Sequence, residues 1–298
     1  MTAKESGTLY LCATPIGNLE DITYRAVRLL KEADLICAED TRHTRKLLAA
    51  YDIHTPLTAY HEHNKRTAGP QLAEKLAQGQ NIVCVTDAGL PGISDPGSDL
   101  VRLAVERGIR VTPLPGANAA LSALICSGLP TDMFTFVGFL PTKHKERQQL
   151  LEDLRTETHT LVFYEAPHRL HKTLAELAEN FGNGRRAVLA RELTKKFETF
   201  SRKTLGELIA DLATEEARGE YVLLVAGAAE CADAAVAPNE NTTTSEPPDA
   251  VRLYETLVAG GAERKAAQRQ VAKELNISRR EVYQAILRRQ EQNVRDSL

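Results

Sequence analysis

A chain of 298 residues that is 43% hydrophobic and 26% charged can form two or three packed domains. Its formal net charge of -3 excludes a protein that binds nucleic acid over its whole surface, so any basic patch must be local. No stretch approaches the roughly 20 apolar residues that span a bilayer, and the N-terminal MTAKESGTLYL lacks the charged-then-apolar order of a signal peptide, so a cytoplasmic protein without membrane contact is expected.

In chain order, Thr8 to Ala13 reads as a strand, followed by the loop TPIGNLED and a helix from Asp21 to Asp34 that places Ile22, Ala26, Leu29 and Leu30 on one face. A short strand, Leu35 to Ala38, leads into EDTRHTRKLLAAYD, which begins polar and becomes helical. Pro56 to Ala59 reads as a third strand, HEHNKRTAG as an exposed polar loop, and Pro70 to Gln78 as a helix. The apolar strand Asn81 to Val85 then runs into TDAGLPGISDPG, Thr86 to Gly97, with three glycines and two prolines. Glycines let a backbone approach a ligand or take positive φ, and prolines limit the loop's freedom before binding. Carboxyl ends of buried parallel strands are where open α/β sheets hold small molecules. The plain alternative is a long turn, although such connections ordinarily run about 2–6 residues.

A helix from Ser98 to Arg107, a strand from Ile109 to Leu114, the turn Pro115-Gly116 and a small-residue helix from Ala117 to Ser127 complete a first half, residues 1–127. This alternation predicts a mostly parallel sheet. The second half, residues 128–229, reads as strands Thr135 to Leu140, Thr160 to Glu165, AVLARELT and EYVLLVAG, with helices Lys145 to Leu154 and Leu170 to Phe181. FETFSRKTLGELIADL adds a short strand and a helix, and a mixed sheet with some antiparallel pairing is expected. Residues 230–248 have the acidic, Thr-, Asn- and Pro-rich composition of a flexible linker. Residues 249–298 carry ten Lys/Arg against seven Asp/Glu, a net +3 that leaves -6 for the rest. Within this basic tail, Arg264 to Leu275 reads as a helix, Asn276-Ile277 as a turn, and Ser278-Arg279-Arg280-Glu281 as a capping box opening a second helix to Arg289. Two short helices about a tight turn read as an all-α helix-turn-helix domain, or as a plain packing module.

Cys12, Cys37 and Cys84 lie in apolar strands, Cys126 in a helix and Cys231 near the linker, which reads as free thiols with no disulfide framework. No GxGxxG follows the first strand and no GxxxxGK[ST] or GxSxG occurs, so the usual dinucleotide and triphosphate cradles and the nucleophile elbow are missing. His61 with His63, and His168 with His171, have no Cys or carboxylate at ligand spacing; no metal is expected.

The motifs ATPIGNLEDIT, AEDTRHTRKLL, TDAGLPGISDPG, PLPGANAALSAL, FVGFLP, FYEAPHRL and ARELTKKFE, in that order from Gly7 to Gly227, together resemble the ribosomal RNA small subunit methyltransferase I family of the tetrapyrrole methylase superfamily. The tail resembles that family's C-terminal helix-turn-helix. The resemblance implies a two-domain α/β body, a mostly parallel sheet then a mixed one, that binds S-adenosyl-L-methionine between its halves and works as a homodimer. It also implies methylation of the ribose 2′-hydroxyl of a cytidine in the decoding region of 16S ribosomal RNA, as naked RNA or in the 30S subunit. Carried over by position, it assigns the cofactor to Pro15, Asp87, Leu90, Ala117, Asn118, Ala119, Tyr164, Glu165, Leu193, Glu220 and Tyr221. Ala13-Thr14-Pro15 and Thr86-Asp87-Ala88 replace the glycine-rich first loop and the Gly-Asp-Pro start common among tetrapyrrole enzymes. That departure points away from a porphyrinoid substrate.

A ribose hydroxyl benefits from a base, and Glu39 and Asp40 at the end of the second strand are the candidates. For Asp40, a helix cap is an equal alternative, and one residue can serve both ends. Arg42, Arg45, Arg169, Arg191, Lys195 and Lys196 are candidates for RNA phosphates, with Arg279, Arg280, Arg288 and Arg289 in the tail. The charges of FYEAPHR and ARELTKK also suit a surface ion-pair network. Two rival functions share this sequence: a methylase of a small tetrapyrrole-like molecule, and a ligand-sensing regulator that reads nucleic acid with Arg279, Arg280 and Gln284.

Overall fold

Short runs of β-branched and small apolar residues account for a first sheet whose strands are covered on both faces. In the computed structural model, which describes residues 5–93, 95–213, 217–228, 248–259 and 263–274 with Val282 and Ile286, these runs are β1 (Thr8–Cys12), β2 (Leu35–Ala38), β3 (Leu57–Ala59), β4 (Ile82–Val85) and β5 (Arg110–Leu114). All neighbours pair in parallel, in the order β3-β2-β4-β1-β5. The intervening helices are α1 (Tyr24–Glu32), α2 (Thr41–Ala50), α3 (Lys65–Ala77) and α4 (Gly97–Glu106). Alternation along β4 feeds two cores: Ile82 and Cys84 meet Leu72 and Leu76 of α3 and Leu100 of α4, while Val83 and Val85 meet Ala26 and Leu30 of α1 and Leu48 of α2. With β1 on one side and β2 on the other, β4 delivers its loop to the middle of the sheet's edge.

Helix starts follow capping chemistry more closely than apolar spacing. α1 begins at Tyr24, not Asp21, because the Thr23 hydroxyl accepts the Ala26 N–H, and Leu19–Asp21 forms a separate 3-10 turn. α3 begins at Lys65 and contains Pro70, where the sequence suggested a loop before the proline. Lys65 anchors this extra turn through ion pairs of 2.7 Å to Asp99 and 2.8 Å to Glu62, and Gly69 packs so tightly that a Cβ would stand 3.0 Å from Leu103.

The second sheet runs β6-β7-β10-β8-β9, from β6 (Phe134–Phe139), β7 (Thr160–Glu165), β8 (Arg186–Arg191), β9 (Thr199–Thr204) and β10 (Tyr221–Val225). β6 and β7 are parallel and the remaining pairs antiparallel. α6 (His144–Leu154), α7 (Pro167–Phe181) and α8 (Leu205–Leu212) cover one face, burying Leu151, Leu174 and Leu208 against Phe163 and Leu223. The other face receives α5 (Ala119–Ser127), whose Ala120, Ala123 and Leu124 pack on Val162, Val188 and Val222. A helix that follows the last strand of the first sheet thus packs on the second, and the chain crosses between halves at Pro115-Gly116. β8 ends at Arg191, where the sequence suggested a strand to Thr194. Glu192 and Thr194 take φ of 53° and 64°, a left-handed turn no strand can hold.

Between α6 and α7, Arg147 and Glu176 form a buried ion pair at 2.7 and 2.8 Å, and the guanidinium also donates to the Pro141 and Thr142 carbonyls. Cys12, Cys37 and Cys84 are buried free thiols, with burial pushing Cys12 up to about 12, while Cys126 is exposed. Cys231 lies outside the described residues.

The chain divides into two compact units, residues 1–236 and 237–298. In the second, α9 (Pro248–Ala259) and α10 (Arg264–Glu274) pack together, with Val271, Val282 and Ile286 buried against Leu253, Tyr254 and Leu257. Linker residues 230–247, the expected turn and capping box, and Arg279, Arg280, Gln284, Arg288 and Arg289 lie outside the described residues. No helix among the described residues is long and apolar enough to cross a membrane.

Candidate active site

The carboxyl ends of β1, β2 and β4 share one edge of the first sheet, and short polar contacts lock together the loops leaving it. Thr14 exchanges backbone hydrogen bonds of 2.9 and 3.1 Å with Gly89, and its hydroxyl donates to the Thr86 carbonyl at 3.2 Å. The Thr86 hydroxyl donates to Glu39 Oε2 at 2.7 Å, and Asp87 Oδ1 accepts the Asp40 N–H at 3.1 Å. Asp95 closes the long loop on itself by accepting the Gly92 N–H at 2.9 Å and the Gly97 N–H at 2.7 Å. Gly89 and Gly92 have φ of 81° and 94°, a conformation that side chains strain.

Facing this edge, β6, β7, β10 and the turn after β8 bring Phe139, Tyr164, Glu165, Leu193, Glu220 and Tyr221 across a cleft of about 440 Å³. Five carboxylates line it, Glu39, Asp87, Asp95, Glu165 and Glu220, and no Lys, Arg or His does among the described residues. Burial raises Asp87 and Asp95 above the usual carboxylate range despite the N–H groups they accept. A cationic ligand would relieve both. Tyr164 packs edge-on against Phe136, and its ring lies 5.6 Å from that of Phe139, giving the cleft an aromatic wall.

A second chamber of about 490 Å³ shares Ile16, Asp87, Ala88 and Glu220 with the first. It differs in charge, because His43 and Lys46 of α2 and Lys195 of the second half line it, beside Thr14, Pro15 and Asn18. The two halves meet at its rim: a Cβ on Gly17 would stand 2.5 Å from Lys195 Cγ and 3.0 Å from the Leu193 carbonyl.

Most of the residues expected at a cofactor converge on the first chamber: Asp87, Leu90, Asn118, Ala119, Tyr164, Glu165, Leu193, Glu220 and Tyr221 line it. Pro15 lines the second chamber, and Ala117 lies behind Gly89, its carbonyl 3.6 Å from where a Cβ would be. Several of them also serve the fold. Asn118 caps α5 by accepting the Leu121 N–H at 2.8 Å. Glu165, almost fully buried, accepts from the Ala166 N–H and the Thr173 hydroxyl.

Asp40 is the N-cap of α2: its Oδ1 accepts the Arg42 N–H at 2.8 Å, and both oxygens bond the Arg42 guanidinium at 2.7 and 3.1 Å. Those bonds hold its carboxyl well below the usual range. Glu39 lines the first chamber.

Four of the basic candidates are already engaged, Arg42 with Asp40 as above. Arg169 donates to the Leu140 carbonyl at 2.8 Å, Arg191 to the Arg218 carbonyl at 2.8 Å, and Lys195 bonds Glu192 and Glu220, both at 3.0 Å. Arg42, Arg45 and Lys196 are exposed. His61 and His63 stand edge to face at 5.9 Å, and no group of three or more His, Cys, Asp and Glu among the described residues is arranged to hold a metal.

Sequence reasoning passed over Asp95, Phe139 and His43. Asp95 carried a signal, an Asp-Pro step inside the glycine loop. Phe139 and His43 lie within the motifs FVGFLP and AEDTRHTRKLL, but a strand aromatic and a helix histidine look the same on any surface, so nothing singled them out.

Residues 8–209 match the family model of the Tetrapyrrole (Corrin/Porphyrin) Methylases, and the chain belongs to that family. Among similar proteins is "Ribosomal RNA small subunit methyltransferase I" of Halalkalibacterium halodurans, 50% identical over 279 residues covering 94% of each chain. The protein of that name from Synechocystis sp. is 49% identical over 281 residues, 94% of this chain and 98% of the relative. A solved structure of uroporphyrin-III-C-methyltransferase from Thermus thermophilus shares the fold with a TM-score of 0.54 at 19% identity, over 76% of this chain and 98% of that one. Another of that enzyme, complexed with S-adenyl homocysteine, aligns with a TM-score of 0.52 at 21% identity over 76% of this chain and all of that one.

Proposed function

We propose that the chain is an S-adenosylmethionine-dependent methyltransferase that 2′-O-methylates the ribose of a cytidine in the decoding region of 16S ribosomal RNA. One observation carries the cofactor assignment: no basic residue lines the first chamber among the described residues, and of its five carboxylates Glu39, Asp87 and Asp95 form no ion pair there, while Arg169 lies beside Glu165 and Lys195 beside Glu220. Such a site favours a sulfonium and an ammonium and opposes phosphates. Asp87, Leu90, Asn118, Ala119, Tyr164, Leu193, Glu220 and Tyr221 would hold the molecule, with the glycine loop close beneath it. Bound there, the cofactor supplies an already activated methyl group, so the protein's task is to align the acceptor and exclude water. Glu39 fixes the loop through Thr86, and Asp40 fixes the start of α2, so both act by orienting.

The RNA assignment rests on relatives that carry a ribosomal RNA name over nearly their whole length. Exposed Arg42, Arg45 and Lys196 suit phosphates at the mouth, with Arg169, Arg191 and Lys195 beside them and the tail arginines 279, 280, 288 and 289 adding affinity. Residues 1–127 and 128–229 act as the two halves of the methylase, 230–248 as a tether and 249–298 as a helix-turn-helix that engages RNA. The protein works in the cytoplasm as a homodimer. Leu121 and Ile125, one turn apart on α5 and 46% and 75% exposed, together with exposed Met133 and Phe134, support a self-association surface.

Calorimetric titration tests the site. S-adenosylmethionine should bind once per chain and ATP should not compete; competition by ATP would refute the reading of the first chamber.

A further inference from the structure

Transfer to a ribose hydroxyl leaves one proton to be removed, and the second chamber contains a group suited to take it. We propose that His43 is the general base of the reaction. This rests on the function proposed above and adds a catalytic residue to it.

The assignment comes from placement in the second chamber and from what the neighbouring carboxylates already hold, with Asp87 assigned to the cofactor. The Asp40 carboxylate has both oxygens on the Arg42 guanidinium and is the cap of its helix. It is a poor proton acceptor. Glu39 Oε2 is tied to the Thr86 hydroxyl, and Glu220 Oε2 to Lys195 at 3.0 Å. His43 sits in the first turn of α2, exposed, and its ring makes no hydrogen bond among the described residues. Lys46, three residues on, shares its face of the helix and lines the same chamber.

Asp87 bridges the two chambers: it lines the first, and it lines the second together with His43. An acceptor ribose in the second chamber therefore has cofactor-binding loop on one side and an imidazole on the other. The ribose oxygen gains the methyl carbon as the carbon–sulfur bond breaks, with that bond's electron pair remaining on sulfur. The hydroxyl proton passes to an imidazole nitrogen of His43. Asp87 stabilises the imidazolium that results; Lys46 of α2 and Lys195 of the second half also face the chamber. Glu220 lines the rim and is neutralised by Lys195.

The experiment uses the full chain with 30S subunits and methyl-labelled S-adenosylmethionine. His43→Gln and His43→Asn should lower kcat by about a hundredfold or more, with melting temperature unchanged and affinities for cofactor and subunit held within about twofold. The wild-type kcat should fall on acidification with a one-proton slope, because only the neutral ring accepts a proton, and the variants should lose that limb. Variants that keep kcat within threefold or keep the acidic limb, or whose defect lies wholly in binding, would overturn the assignment. A wild-type protein that methylates no ribose would instead refute the function and this role together.

Discussion

At the scale of single residues, charge decides what the cleft can hold. Asp87 and Asp95 are raised by burial in a cleft without a basic partner among its described lining residues, so in the free protein their ionised forms are held at a cost. A cationic ligand prefers them ionised. Affinity for S-adenosylmethionine should therefore fall as pH is lowered through their raised values, starting above the ordinary aspartate range. Protons should be released on binding under those conditions, which calorimetry in buffers of different ionisation enthalpy would detect. Asp87→Ala removes a charged partner worth roughly 1.5–3 kcal/mol, or about ten- to a hundredfold in Kd. Gly89→Val forces a β-branched residue to a φ of 81° and should weaken the cofactor with the fold retained. Unchanged affinity in both variants would move the site elsewhere. Asp87 and Leu90 were named beforehand through the family resemblance, while the loop's length and glycine content pointed only to this stretch of chain. The role proposed for His43 was not legible in the sequence, because it depends on which wall α2 presents to the second chamber.

At the scale of elements, strand positions were legible within a residue or two wherever apolar runs were bounded by polar loops, as in Leu35 to Ala38 and Thr160 to Glu165. Helix starts were less so: Pro70 looked like a beginning, while Lys65, Glu62 and Asp99 supply an earlier one through tertiary contacts. The packing of α5 on the second sheet was invisible, since its small residues suit any neighbour. The Arg147–Glu176 pair tying α6 to α7 is a further long-range feature that local patterns do not show. Replacing one partner leaves the other charge buried, so Glu176→Ala should lower the free energy of unfolding by about 3–5 kcal/mol. The double change Arg147→Met with Glu176→Leu should recover much of that loss. Chemical denaturation of the three proteins decides it, and a Glu176→Ala protein as stable as wild type would show the pair to be dispensable.

At the scale of the whole molecule, two α/β halves meet across a cleft whose acidic chamber suits a cationic cofactor and whose second chamber carries the basic groups. The basic tail is expected to contribute RNA affinity and no chemistry. A chain ending after Gly227 should keep cofactor affinity, bind 30S subunits more weakly, and show a shallower dependence on salt because fewer counterions are released. Wild-type affinity for the subunit at every salt concentration would assign the tail to packing alone. The acceptor decides the function. Incubating 30S subunits that lack the modification with methyl-labelled S-adenosylmethionine and mapping the labelled position should place one methyl group on the ribose 2′-oxygen of a cytidine in the decoding region. Label on a base, on no RNA at all, or on a tetrapyrrole supplied in competition would contradict the account.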